Sequence, residues 1–151
     1  TNPHMQCTCT MNQISRYQKK ISGPLLDRFD LIIEVPAVEH DKLLSDHTPE
    51  SSVEIRSRVE KARTTQIDRL SSFDLLTNSE MDVKHLNELC PLTPDIKDLL
   101  QIALRTNKLS ARGFMRVRKV ARTIADLAGE ELVTVDHVAE ALQYREQVKI
   151  G

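Results

Sequence analysis

Aromatic side chains are scarce, at 3% of 151 residues, and tryptophan is absent. That argues against the stacking platforms by which single-strand binders hold bases. Glycine is also rare, at four residues, and no G-x-x-x-x-G-K-[ST] phosphate loop can be traced. Nor is there an H-E-x-x-H helix or a nucleophile elbow. Three cysteines, an odd number, do not make a disulfide framework, and a reducing, cytoplasmic compartment is expected. The histidines (His4, His40, His47, His85 and His137) are scattered without ligand spacing, and each reads as a surface side chain. No stretch approaches the roughly 20 apolar residues of a membrane span, and no signal peptide is expected. A formal net charge of −1 gives no global pull toward nucleic acid, so any basic surface has to be local. Taken alone, the chain does not read as a catalyst.

What is present is helical periodicity. Residues 109–129, LSARGFMRVRKVARTIADLAG, form the longest such run. Ser110 stands at the N-cap and Gly129 at the left-handed stop. Phe114, Val117, Val120, Ala121, Ile124, Leu127 and Ala128 recur at steps of three and four, a wide apolar stripe. Arg112, Arg116, Arg118, Lys119 and Arg122 occupy the rest of the surface. Before this helix, Thr93-Pro94 opens another, with Ile96, Leu99, Leu100, Ala103 and Leu104 buried and Asn107 as its stop. Residues 82–89 make a short helix with Val83, Leu86 and Leu89 inward. Thr134 caps a last helix, in which Val138, Ala141 and Leu142 face the core. These four helices, residues 81–144, are expected to form a compact bundle.

The first third of the chain is less regular. Residues 50–70 read as a long, polar, solvated connector, with Val53, Val59, Ala62 and Ile67 a thin stripe. Its i,i+4 pairs are one attractive, Glu54–Arg58, and one repulsive, Glu50–Glu54. Residues 12–21 can form a short helix capped by Thr10 or Asn12, and residues 25–28 one turn. Residues 29–35, FDLIIEV, are the strong strand candidate, closed by Pro36. A lone strand is not stable in water, so this one is expected to have lost the rest of its sheet. A helical turn is expected at 37–44, and residues from 147 are expected to fray.

Two arginines stand out. Arg28 lies in GPLLDRFDL, at a tight turn, where a rigid guanidinium fork can project across an interface and bind phosphate. The plainer reading is a pair with Asp27 or Asp30, or with solvent. Arg112 lies in the first turn of a helix, adding its charge to the positive end of the dipole, a placement that suits an incoming anion; the plainer reading is a tolerated charge, at a cost of a few tenths of a kcal/mol. A rival reading makes Arg116, Arg118, Lys119 and Arg122 a DNA-binding face, and a third makes the helices an inert protein-docking module. Cys7 and Cys9 offer two thiolates where structural zinc needs four ligands, and no metal site is assigned.

GPLLDRFDLIIEV, followed by LSARGFMRVRKVARTIADL and HVAEALQYR, resembles the C-terminal part of magnesium-chelatase-like AAA+ ATPases of the bacterial competence-protein (ComM/YifB) type. The resemblance runs over residues 7–145. It implies a mainly α chain: the AAA+ helical lid bundle, preceded by a remnant of the AAA+ α/β core, one helix plus one strand. Residues 1–5, TNPHM, read as a cloning scar from their His-Met ending, and the resemblance makes 6–36 the core remnant. Residues 37–80 are a connecting helix and linker, and 81–151 the lid. The resemblance further implies that Arg28 is the arginine finger, offered in trans to a neighbouring subunit's nucleotide. Arg112 is the sensor 2 residue, which contacts the ATP γ-phosphate. ATP and Mg2+ are expected in the full-length protein and neither on this fragment. The expected partners are the other subunits of a homo-hexameric ring, with DNA as the polymer of a helicase or branch-migration motor, and no membrane. The Walker motifs of the family are not in this sequence, and of its two C-x-C pairs only Cys7 and Cys9 are present.

Overall fold

Local capping chemistry sets where helices begin in the computed structural model, which describes residues 8–36, 49–106 and 109–145. α1 (Met11–Gln18) starts after Thr10, whose hydroxyl oxygen accepts the Gln13 N–H while the Gln13 side chain accepts the Thr10 N–H. α2 (Gly23–Leu26) is a single turn opened by Ser22 and Pro24. α3 (Ser52–Leu70) repeats the reciprocal cap with Ser51 and Glu54. The Ser51 N–H and hydroxyl hold the Glu54 carboxyl below the usual carboxylate range. With Glu54 engaged there, Arg58 bonds to Glu50, eight residues away, in place of the expected Glu54.

Two 3-10 turns, Ser71–Phe73 and Asn78–Glu80, lead to α4 (Val83–Leu89), capped by Asp82. α5 (Pro94–Arg105) is capped by Thr93. α6 (Ala111–Ala128) runs from Ser110 to Gly129, whose φ of 77° is the left-handed stop the sequence requires. α7 (Val135–Gln143) follows Thr134, whose N–H donates to His137 Nδ1. These bounds match the sequence reading to within a few residues.

The main core joins Ile96, Leu100 and Ala103 of α5 to Val117 and Ala121 of α6 and Val138 and Ala141 of α7. A second cluster holds Leu70, Met81, Leu86 and Cys90 together under α6 residue Met115. The apolar stripes are shorter than their periodicity suggests. Val83, Leu104 and Leu127, expected inward, are exposed. Each lies at or beside a helix end, where a neighbouring helix no longer covers it.

Two expectations change. α3 is more than a connector: Val53, Val59 and Ile67 are exposed, but Ala62, Gln66 and Leu70 are buried and the helix packs on α6. Residues 29–35 form no strand, and no strand occurs among the described residues. A strand needs a neighbour to complete its ladder. Here Ile32 N–H meets Tyr144 O, at 2.8 Å, and Phe29, Leu31, Ile33 and Val35 are exposed. The scar read at 1–5, Cys7, the turn at 37–44, the Asn107 stop and the residues from 147 lie outside the described residues.

Burial pushes the Cys90 thiol up from its ordinary value of 9.0. The folded thiol therefore stays protonated where an unfolded one would begin to ionise. Its contribution to stability is full below pH 9.0 and is lost as pH rises through the higher folded value. Cys90 should be nearly inert to a disulfide reagent in the native chain at pH 8 and react quickly in urea. Equal rates in both conditions would contradict its burial.

Candidate functional site

The segment after α2 is held against the start of α6 and the end of α7. Ser110 accepts the Gly113 N–H at 3.0 Å as a helix cap and donates its own hydroxyl to Asp27 Oδ1 at 2.7 Å. Arg145, just past α7, donates through Nη2 to the same Asp27 oxygen at 3.3 Å and through Nη1 to Phe29 O at 2.6 Å. Gly113 leaves room for this arm. A Cβ there would stand 2.9 Å from Leu109 Cδ1 and 3.3 Å from Arg145 Nη2. Asp30 pairs with Arg116.

Both carboxylates flanking Arg28 are thus taken by other arginines. Arg28 is exposed, and among the described residues its side chain makes no hydrogen bond or ion pair. The same holds for Arg112, in the first turn of α6, where no acid offsets it. Arg28 follows Asp27 directly and Arg112 stands two residues beyond Ser110. The Asp27–Ser110 bond joins the segment that carries Arg28 to the turn that carries Arg112. An exposed guanidinium in the first turn of a helix, as Arg112 is, favours an anion with several oxygens.

The rest of the basic face of α6 points elsewhere. Arg122 is wholly buried and donates to Asp126 Oδ1 and to the carbonyls of Glu130 and Glu131, the last two at 2.6 Å. Arg118, also buried, donates to Leu86 O, Cys90 O and Asn87 Oδ1 and so closes the C-terminal end of α4. Burial pulls its pKa below the ordinary guanidinium value. Lys119 reaches Ser79 O at 2.6 Å. The DNA-binding reading of this face is therefore overturned. Arg118 and Arg122 are inside the molecule, and Lys119 and Arg116 are bonded to the linker and to Asp30. A salt titration of this chain with duplex DNA should show no steeply salt-dependent binding, and a log–log slope near −4 would restore that reading.

The sequence reading missed Asp27 and Arg145 as partners, and saw Ser110 only as a cap. Their separations in sequence are 83 and 118 residues, so spacing carried no signal of them. It also missed Asp126, buried and bonded to Arg69, Asn78 and Arg122. Here a signal existed: Arg118, Arg122 and Asp126 form an i, i+4, i+8 ladder.

Among the described residues no group of three His, Cys, Asp or Glu gathers to hold a metal ion. Among the same residues, no helix is long and apolar enough to cross a membrane.

Comparison with known proteins gives a consistent picture. Residues 49–145 match the family model described as magnesium chelatase, subunit ChlI C-terminal, and residues 1–43 match that of magnesium chelatase, subunit ChlI. The chain is 40% identical over 139 residues to competence protein ComM of Haemophilus influenzae, covering 91% of this chain and 26% of that protein. It is 37% identical over 138 residues to the uncharacterised protein YifB of Escherichia coli, with 91% and 26% covered. An uncharacterised protein of Mycobacterium tuberculosis is 34% identical over 140 residues, with 93% and 28% covered. The chain thus spans only about a quarter of the length of these relatives, 26 to 28%.

Proposed function

The chain belongs to the magnesium chelatase ChlI C-terminal family, and from that membership we propose that it supplies two arginines to ATP hydrolysis in a longer AAA+ motor. Arg28 is the arginine finger, reaching a neighbouring subunit's nucleotide, and Arg112 is the sensor 2 residue. One observation carries this reading. Both arginines are exposed, and among the described residues neither side chain has a partner, while Arg145 and Arg116 occupy Asp27 and Asp30. The acids nearest Arg28 in sequence are therefore engaged by other side chains.

The chemistry follows from charge. Phosphoryl transfer spreads negative charge over the oxygens of the transferring group. A guanidinium fixed at that position stabilises the charge as it develops, and its planar fork fits two oxygens at once. Arg28 would do this from across a subunit boundary. Arg112 would hold the γ-phosphate through the ground state as well. ATP comes with Mg2+, which neutralises the phosphate charge. We further propose, from the family resemblance, a ring-shaped, homo-hexameric motor, and the name of the Haemophilus relative, a competence protein, favours DNA as its polymer.

The test is steady-state ATP hydrolysis by the full-length protein with Arg112→Ala. Sensor 2 loss should weaken ATP binding and lower turnover together, by about tenfold or more for one charge-assisted contact. Near-normal values of both parameters would sink the assignment. This segment alone should show no hydrolysis.

A further inference from the structure

We propose that Arg145 is the positioning residue for Arg28, gripping the backbone and side chain on either side of it. The inference rests on the finger reading of Arg28 above and adds the part that aims the finger. Among the described residues Arg28 has no side-chain partner of its own, so its neighbours set its place. Arg145 holds both: Asp27 through Nη2 and the Phe29 carbonyl through Nη1. Its side chain is only 9% exposed, and it lies close enough to Gly113 that a Cβ there would stand 3.3 Å from Nη2 and 3.4 Å from Nε. The preceding residue, Tyr144, accepts the Ile32 N–H. The finger segment is therefore tied to the end of α7 at Asp27, Phe29 and Ile32.

The other end of the tie is firm. α7 packs its Val138 and Ala141 into the core made by α5 and α6. The cap of α6, Ser110, adds a second bond to Asp27. A guanidinium suits this task better than an ammonium. Its fixed fork reaches a carboxylate and a carbonyl at once, and its geometry is set before the bonds form. The same ion pair removes Asp27 as a competitor for Arg28. Movement of the helical bundle moves Arg145, and Arg145 carries the finger with it, so one rigid arm links Arg112 on α6 to Arg28.

The experiment compares Arg145→Ala, Arg145→Lys, Arg28→Ala and the Arg28→Ala/Arg145→Ala double variant in the full-length ATPase. Turnover, KM for ATP and melting temperature are read for each. Misaiming a group by about 1 Å costs roughly a hundredfold in rate, so Arg145→Ala should lose about that much kcat with KM for ATP within about twofold. Arg145→Lys keeps the stem and charge. It should melt close to wild type yet recover only part of kcat, which a merely structural residue would not show. The double variant should be no slower than Arg28→Ala, because a mis-aimed finger and a missing finger are the same loss. If Arg145→Ala does not fold, Arg145→Lys and its double with Arg28→Ala give the same two readings. Near-normal turnover in Arg28→Ala overturns the finger reading and this proposal with it. Low turnover in Arg28→Ala, with normal kcat in the folded Arg145 variant or losses that add in the double, overturns this proposal alone.

Discussion

Arg28→Ala in the full-length protein is expected to lower ATP turnover by about 10³-fold or more, with KM for ATP almost unchanged. The asymmetry comes from when the contact is made. An arginine offered across a subunit boundary meets charge that exists only as the phosphoryl group transfers, so its loss raises the barrier without loosening the bound substrate. Arg112 is expected to behave differently, because a γ-phosphate contact is present before the reaction and shows in KM as well. The structure removes one objection to this expectation. Arg28 is not consumed by the carboxylates beside it, since Asp27 bonds to Ser110 and Arg145 and Asp30 pairs with Arg116. Mixing Arg28→Ala subunits with subunits that cannot bind ATP tests the in-trans arrangement. Turnover should depend on which subunit carries the change. A loss below about threefold would be within the range of an ordinary surface arginine and would end the finger reading.

Asp126→Ala is expected to be the most destabilising single change in the bundle, by about 3–5 kcal/mol. The Asp126 side chain has no exposed area. It accepts from Arg69 at 2.6 and 2.8 Å, from Asn78 at 2.8 Å and from Arg122 at 3.1 Å. Truncation leaves the Arg122 guanidinium, 1% exposed, without its counter-charge, and it also removes the ion pair between α3 and α6. A domain of this size has about 5–15 kcal/mol in all, so the change removes a large share of the total. Arg69→Ala should cost less, because the Arg69 side chain is 18% exposed and its removal leaves Asp126 with Arg122. Urea unfolding of the three proteins, with equal m-values, gives the comparison. A cost below about 1 kcal/mol for Asp126→Ala would mean that water or a neighbouring carbonyl replaces the carboxylate, contrary to its burial.

The two expectations draw on different parts of the molecule, and the difference was legible to different degrees. Arg28 and Arg112 were singled out in the sequence, each by its local setting and by the blocks that carry the family resemblance. The bond that joins their segments, Asp27 to Ser110, was not. Asp126 drew no attention, since an acid on a helix with many basic neighbours reads as an exposed ion pair. The basic face of α6 was misread for the same reason. Arginine is usually at the surface, yet Arg118 and Arg122 are buried because each finds backbone carbonyls left open by a helix end or a loop.

Helix starts and stops were set by the residues alone. Thr10, Ser51, Asp82, Thr93 and Ser110 each accept a backbone N–H three residues on, and Gly129 turns left-handed. The buried stripes of α5 and α6 followed from a period of 3.6. Such interactions reach three or four residues, so the spacing of residue types records them. Folding alone chose the partners of the charged side chains and the fate of residues 29–35. The Arg69–Asp126 pair spans 57 residues and the Arg145–Asp27 pair 118. Which segments come to lie opposite one another at such distances depends on how whole helices pack, and no local pattern of residues encodes it.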